Sequence, residues 1–229
     1  MTLLLAVDTS GKNGSLALAR ALPGRGEIDV LDVMPLTGGA FSAQLVPQIA
    51  ALLEKHGHSK RDLGAFAVVS GPGSFTGLRV GLAAIKALAE VLEKPIVAIS
   101  LLEAVACSGK ARGQVFAAVD AGRGDVYVGD YVVEPEVHAR AQMHSERLLS
   151  GEEFVIAANG KPVVTPDAAL AERFRTAGIQ IELIEYPNGG VLAQLGWEHL
   201  NRGETVRPEE LEANYIRRTD AEILAKVSS

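Results

Sequence analysis

The sequence predicts an α/β fold of two similar lobes facing a shared cleft, and three observations carry that prediction. Strand-like and helix-like segments alternate along the 229 residues, a hairpin near the N-terminus is echoed in mid-chain, and no low-complexity linker divides the halves. The lobes are therefore expected to pack together, the first at residues 1–109 and the second at 110–229, with the terminal arm returning toward the first.

The echo sets the frame. Leu3-Leu4-Leu5-Ala6-Val7-Asp8 reads as a buried strand, Thr9 to Gly14 as a small polar turn, and Ser15-Leu16-Ala17-Leu18 as a return strand. Val115-Phe116-Ala117-Ala118-Val119-Asp120 repeats the buried strand ending in aspartate, Ala121 to Gly124 repeats the turn, and Asp125 to Tyr131 alternates as the second return strand.

Between the echoes, Ile28 to Met34 predicts a strand. Ser42 to His56 predicts an amphipathic helix with Leu45, Ile49, Leu52 and Leu53 along one side, and Pro47 is expected to kink or shift its start. Ala65 to Ser70 predicts a strand, Gly71 to Ser74 a tight loop, Phe75 to Leu92 a long helix and Ile96 to Ile99 a strand. Ser100 and Glu103 have capping-box spacing at the start of the next helix. Beyond the second hairpin the pattern is less regular. It predicts a strand at Phe154 to Ala158, a helix near Asp167 to Ala177, a strand at Gln180 to Ile184 and a helix near Val191 to Asn201. Glu209 to Ser229 reads as a polar turn and a terminal arm.

Composition narrows the function. With 22 basic and 28 acidic residues the formal net charge is −6, and the basic residues are scattered apart from pairs such as Lys60-Arg61 and Arg217-Arg218. A protein that grips nucleic acid alone offers a basic face to the phosphates, so any nucleic-acid contact, tRNA included, is expected to be indirect once the family blocks below are considered. The apolar run Leu3 to Val7 stops at Asp8 with no basic segment before it, which predicts a cytoplasmic protein without signal peptide or membrane span. The single Cys107, among Ala104, Val105 and Ala106, predicts a small buried side chain rather than a reactive thiol.

The sharpest local motif is Gly71-Pro72-Gly73-Ser74-Phe75-Thr76-Gly77-Leu78-Arg79-Val80-Gly81, between a strand and a helix. Glycines there let backbone N–H groups approach an anion, or simply let the helix pack closely; the second reading is favoured. Neither a Gly-Lys-Ser/Thr ending nor Gly-x-Gly-x-x-Gly spacing is present. In the helix that follows, Arg79, Lys86, Glu90 and Glu93 form a single charged stripe, and nearly everything else is apolar or small. Such a helix must be covered on more than one side, by Ser42 to His56 of the same chain or by a second protein. Gly77 and Gly81 permit close backbone approach in either case.

Ala6-Val7-Asp8-Thr9-Ser10, the glycine-rich block, Ala118-Val119-Asp120-Ala121-Gly122-Arg123-Gly124-Asp125-Val126-Tyr127 and Ala213-Asn214-Tyr215-Ile216-Arg217 resemble, in order and over nearly the whole chain, the TsaB (YeaZ-like) family. The resemblance implies an actin-like (ASKHA) duplicated two-lobe fold and a non-catalytic accessory subunit. Such a subunit binds TsaD and is required for threonylcarbamoyl transfer to the adenosine next to the tRNA anticodon. It further implies pairing through helices of the first lobe, with Leu45, Ile49, Gly77, Val80, Gly81 and Ala84 as expected contacts. An ATPase subunit, TsaE, is expected in a larger complex, and a homodimer when the chain is alone.

The departures matter as much. The catalytic relative holds a metal with a His-x-x-x-His helix, and the corresponding positions here are Leu101 and Val105, which cannot ligate one. His56, His58, His138, His144 and His199 restore no site, so neither metal nor cofactor is expected. Phe41 stands where many relatives carry histidine. The alternative function is an actin-like ATPase or phosphotransferase using Asp8 and Asp120 in the cleft, with Gly73 or Gly122 near phosphate. The late Asn188-Gly189-Gly190 reads more simply as a turn before a helix. For a peptidase, no nucleophile with a placed base is visible.

Overall fold

A computed structural model describes residues 2–22, 28–37, 40–135 and 140–216. His138, Arg217, Arg218 and the rest of the terminal arm lie outside the described residues.

The first sheet contains β1 (Leu3–Asp8), β2 (Gly14–Ala21), β3 (Ile28–Leu36), β4 (Leu63–Gly71) and β5 (Ile96–Ser100), in the order β3-β2-β1-β4-β5. The second contains β6 (Gly113–Gly122), β7 (Asp125–Val133), β8 (Ala141–Ser150), β9 (Val163–Thr165) and β10 (Ile181–Leu183), in the order β8-β7-β6-β9-β10. The two orders are the same order. In each sheet the first strand pairs antiparallel with the second and parallel with the fourth, the second and third are antiparallel, and the fourth and fifth are parallel. The echoed hairpins are thus the starts of two complete repeats.

The helices repeat as well. α1 (Phe41–Lys55) and α4 (Gly151–Ala158) follow the third strand of each lobe, α2 (Phe75–Leu92) and α5 (Ala168–Arg175) the fourth, and α3 (Leu101–Ser108) and α6 (Gly189–Asn201) the fifth. The last pair is exchanged between lobes. Leu102, Val105 and Ala106 of α3 pack with Val115, Ala117 and Tyr131 of the second sheet, whereas Leu192, Ala193 and Leu195 of α6 join the core of the first. α6 lies so close to that sheet that a Cβ on Gly196 would sit 2.5 Å from the Ala67 Cβ. α6 thus returns to the first lobe, where it covers the second face of the first sheet.

Burial explains the elements. All six residues of β1 are buried, as a central strand with helices on both faces requires. In α1 the buried residues Phe41, Leu45, Ile49, Leu52 and Leu53 share one face, and Pro47 stands on the opposite, exposed side of a continuous helix. The segment Phe154 to Ala158, expected as a strand, is the second half of α4. Ser150 and Glu153 cap that helix reciprocally, with the Ser150 N–H donating to Glu153 Oε2 at 2.8 Å, and Phe154 and Ala158 share its buried face while Ile156 is 78% exposed. At Ser100 the expected capping box is half formed. Its hydroxyl accepts from the Leu102 N–H at 3.1 Å, but Glu103 turns into the interior toward His199.

Candidate functional site

The cleft between the lobes holds a cavity of about 1290 Å³ whose wall includes Asp8, Gly73 and Asp120; Gly122 lies two residues past Asp120 and is not part of the wall. The two echoed aspartates occupy unlike environments. Asp8 is 1% exposed, and its Oδ1 accepts from the Ser10 N–H at 2.7 Å and the Ser10 hydroxyl at 2.6 Å. Burial raises its pKa despite those two hydrogen bonds. The Ser10 hydroxyl is also 3.3 Å from the Tyr186 hydroxyl, and burial, with the charge of Asp8, pushes the Tyr186 phenol up. Asp120 is exposed and accepts from the Gly122 N–H at 3.1 Å, closing the turn of the second hairpin. The Asp8 Oδ1 that a metal–nucleotide would engage already accepts from both Ser10 donors.

The glycine-rich block packs against the turn that follows β1. A Cβ on Gly73 would lie 2.5 Å from the Ser10 carbonyl oxygen, and the Ser74 N–H donates to that same oxygen at 2.7 Å. A Cβ on Gly77 would lie 2.0 Å from the Thr9 carbonyl oxygen, and one on Gly81 2.4 Å from Thr9 Oγ1. Ser74 caps α2 by accepting from the Gly77 N–H at 3.3 Å. These glycines bring helix and hairpin into contact within the chain.

That geometry places four of the expected partner contacts against the chain's own core and hairpin. Leu45 and Ile49 are 1% and 4% exposed in the first core, and Gly77 and Gly81 face Thr9. The outer face lies a quarter to half a turn away. It carries Ala43, Val46, Pro47 and Ala50 on α1 and Ala83, Ala87 and Val91 on α2, with the half-buried Val80 and Ala84 at its edge. Val46 is 59% exposed and Val91 74%. The charged stripe borders this face, with Ala83 between Arg79 and Lys86, and the Arg79 guanidinium stacks 3.7 Å from the centre of the Phe75 ring.

Three groups escaped the reading of the sequence. His199 Nε2 meets Glu103 Oε1 at 2.8 Å and its Nδ1 meets Glu204 at 2.6 Å. Tyr186 closes the cleft over Ser10, and Glu146 gathers Ser100, Tyr131 and Asn214. The one available signal was Glu103 itself, a carboxylate in an otherwise apolar helix. His56 pairs with Asp32 at 2.9 Å. Among the described residues, no three His, Cys, Asp or Glu side chains are grouped to hold a metal ion, and no helix is long and apolar enough to cross a membrane. Cys107 is half-buried rather than fully buried; desolvation, with the charge of Glu103, pushes its thiol up to about 12.

Two repeats of one mixed sheet, their last helices exchanged across a cleft, define an actin-like two-lobed α/β protein. The family model described as TsaD, tRNA N6-adenosine threonylcarbamoyltransferase, matches residues 35–188. A Haemophilus influenzae protein named tRNA threonylcarbamoyladenosine biosynthesis protein TsaB is 30% identical, covering 93% of each chain. The Escherichia coli protein of that name is 31% identical over 65% of this chain and 68% of its own. The solved structure of YeaZ from Pseudomonas aeruginosa superposes with a TM-score of 0.76 and 27% identity, covering 94% of this chain and all of that one. The chain belongs to the TsaB family of tRNA threonylcarbamoyladenosine biosynthesis proteins.

Proposed function

We propose that this chain is a non-catalytic accessory subunit that docks on TsaD through the outer face of α1 and α2. Docking supports TsaD in transferring the threonylcarbamoyl group to the adenosine next to the tRNA anticodon. The observation that carries the reading is the outer face itself. Helices already packed on their own sheet leave Val46, Pro47, Ala50, Ala83, Ala87 and Val91 in water, a run of small apolar residues suited to close helix-to-helix packing with a second protein. Leu101 and Val105, at the positions where TsaD would need imidazoles, are buried hydrocarbon side chains. The net charge of −6 supports an indirect contact with tRNA. In the same reading an ATPase subunit such as TsaE joins the larger complex, the chain pairs with itself through this face when TsaD is absent, and it works in the cytoplasm.

The test is reconstitution. TsaD, the adenylate-forming enzyme, the ATPase subunit, ATP, threonine, bicarbonate and tRNA are combined with and without this chain. Modification that depends on the chain, while the chain alone consumes no ATP, is the expected result; equal modification without it defeats the proposal.

A second reading, an actin-like ATPase, draws on the placement of Asp8, Gly73 and Asp120 around one cavity. The engagement of Asp8 Oδ1 by both Ser10 donors weighs against it. Calorimetry with the isolated chain at millimolar ATP separates the two, since absence of binding heat ends the ATPase reading.

A further inference from the structure

The stretch from Val206 to Ile216 belongs to neither sheet and runs as a strap along the first lobe. It begins at the edge of the first sheet, where the Val206 N–H donates to the Ile96 carbonyl at 2.8 Å. It then turns over α2 at Pro208–Glu210 and buries Leu211. At the glycine-rich loop the Asn214 N–H donates to the Ser70 carbonyl at 2.8 Å, and the Asn214 carbonyl oxygen lies 2.6 Å from where a Cβ on Gly71 would stand. The Tyr215 ring rests 5.1 Å from that of Phe75, and its hydroxyl accepts from Arg79 Nε at 3.2 Å. Two of the sequence blocks that mark the family therefore meet at the first turn of α2.

The strap also reaches the other lobe, where Ile216 packs against the core cluster of Val115, Ala117 and Tyr131 and a polar contact crosses beside it. The Asn214 side-chain amide donates to Glu146 Oε2 at 2.6 Å, and Glu146 stands on β8, the edge strand of the second sheet. The other oxygen of the same carboxylate accepts from the hydroxyls of Ser100, at the start of α3, and Tyr131, on β7. The group is half-buried beside a cavity of about 700 Å³ and is engaged on both oxygens by three separate elements.

We propose that Glu146 is the clasp of this strap: by holding Asn214 it ties the C-terminal segment to the second lobe and keeps Tyr215 seated on α2. The Ser100 and Tyr131 hydroxyls fix the carboxylate so that its free oxygen faces Asn214. A charge-assisted hydrogen bond from an amide to a carboxylate held in this way resists solvent competition better than a neutral one. The clasp stands independently of the docking face.

Hydrogen exchange of the intact chain tests it, read on peptides covering residues 211–216 against those of β1 and β4. Glu146→Ala is expected to speed exchange of the strap about tenfold while the two central strands keep their protection. Asn214→Asp, which sets two carboxylates against each other and leaves Ser100 and Tyr131 their acceptor, is expected to do the same. Combining it with Glu146→Gln restores the contact in reverse, since the glutamine amide donates to the new carboxylate and its oxygen still serves both hydroxyls. Recovery of slow exchange in that double variant is the signature of the clasp. Strap exchange at the wild-type rate in Asn214→Asp, or a double variant as fast as the single one, overturns it. Because the Asn214 pair leaves the core intact, failure of Glu146→Ala to fold would leave this comparison standing.

Discussion

Thr9 and Gly77, 68 residues apart, meet twice: the Thr9 hydroxyl donates to the Gly77 carbonyl at 2.7 Å, and a Cβ on Gly77 would stand 2.0 Å from the Thr9 carbonyl oxygen. The turn after β1 and the first turn of α2 are held in direct backbone contact. The hydroxyl can reach that carbonyl because it lies in the first turn of α2 and Gly77 adds no side chain at the junction.

Gly77→Ala is therefore expected to destabilise the chain by about 3 kcal/mol, the upper part of the range for forced overpacking. The obstacle is backbone, which cannot swing away as a side-chain tip would. Ala87→Ser on the outer face of the same helix is expected to stay within about 0.5 kcal/mol. Urea unfolding midpoints of both variants decide this, and equal midpoints would mean that the junction relaxes freely.

How much of this was legible in the sequence depends on where each signal was stored. The first strand of each repeat was readable because a central strand buried on both faces is a continuous apolar run, as in Leu3 to Val7 and Val115 to Val119. The edge strand β8 was not, because Gln142, Met143, His144 and Arg147 face water and leave no apolar period. α4 was misread since Phe154 to Ala158 is apolar enough for either element, and only the pair Ser150 and Glu153 distinguishes them. At the candidate docking face the composition of α2 announced a second covering. It did not say which residues face outward, because Gly81 and Ala84 look equally suited to close packing until Thr9 is placed beneath one of them. Glu146 and Asn214 are 68 residues apart, and no local pattern links them.

The pair His199 and Glu103 predicts a pH dependence. Burial pulls the His199 pKa down, yet hydrogen bonds and charge from Glu103, with Glu204 adding to them against the repulsion of Arg202, raise it above the ordinary value. A raised folded pKa contributes stability that is fully present below the unfolded value, about 6.5, and is lost as pH rises through the folded one. The urea midpoint is thus expected to fall as pH increases from about 6.5. His199→Gln should flatten that part of the profile, and a slope unchanged by the substitution would assign it to another group.

Asp8 carries the same sign for a different reason. Its pKa is raised by burial, so the stability gained from the neutral acid is present at low pH and lost as pH rises through the raised value. Asp8→Asn keeps an oxygen for the two Ser10 donors and removes the ionisation. The variant is expected to lose less stability than wild type as pH rises from the unfolded value, about 3.9, measured by denaturant unfolding across that rise. A larger loss in the variant would show that the ionised carboxylate is favoured in the cleft, as a cation-binding role requires.

The proposed docking on TsaD can be separated from folding by choosing residues on different sides of one helix. Val46 is 59% exposed on α1 and Leu45, its neighbour, is 1% exposed in the core. Val46→Glu places a charge where a partner helix would close over it, at little cost to the isolated chain because water already solvates that position. Combined with Ala87→Arg on α2, it is expected to weaken binding to TsaD at least about thirtyfold, as for substitution of central interface residues, with the thermal midpoint nearly unchanged. Leu45→Ala should reverse the pattern, costing about 2–5 kcal/mol of stability through the cavity it opens while leaving the outer face in place. Calorimetric titration of TsaD, paired with circular dichroism melts of the same preparations, reads both quantities. Tight binding by the Val46→Glu, Ala87→Arg variant would move the docking site off this face altogether, since no partner can bury two opposite charges against small apolar side chains without a large loss of affinity.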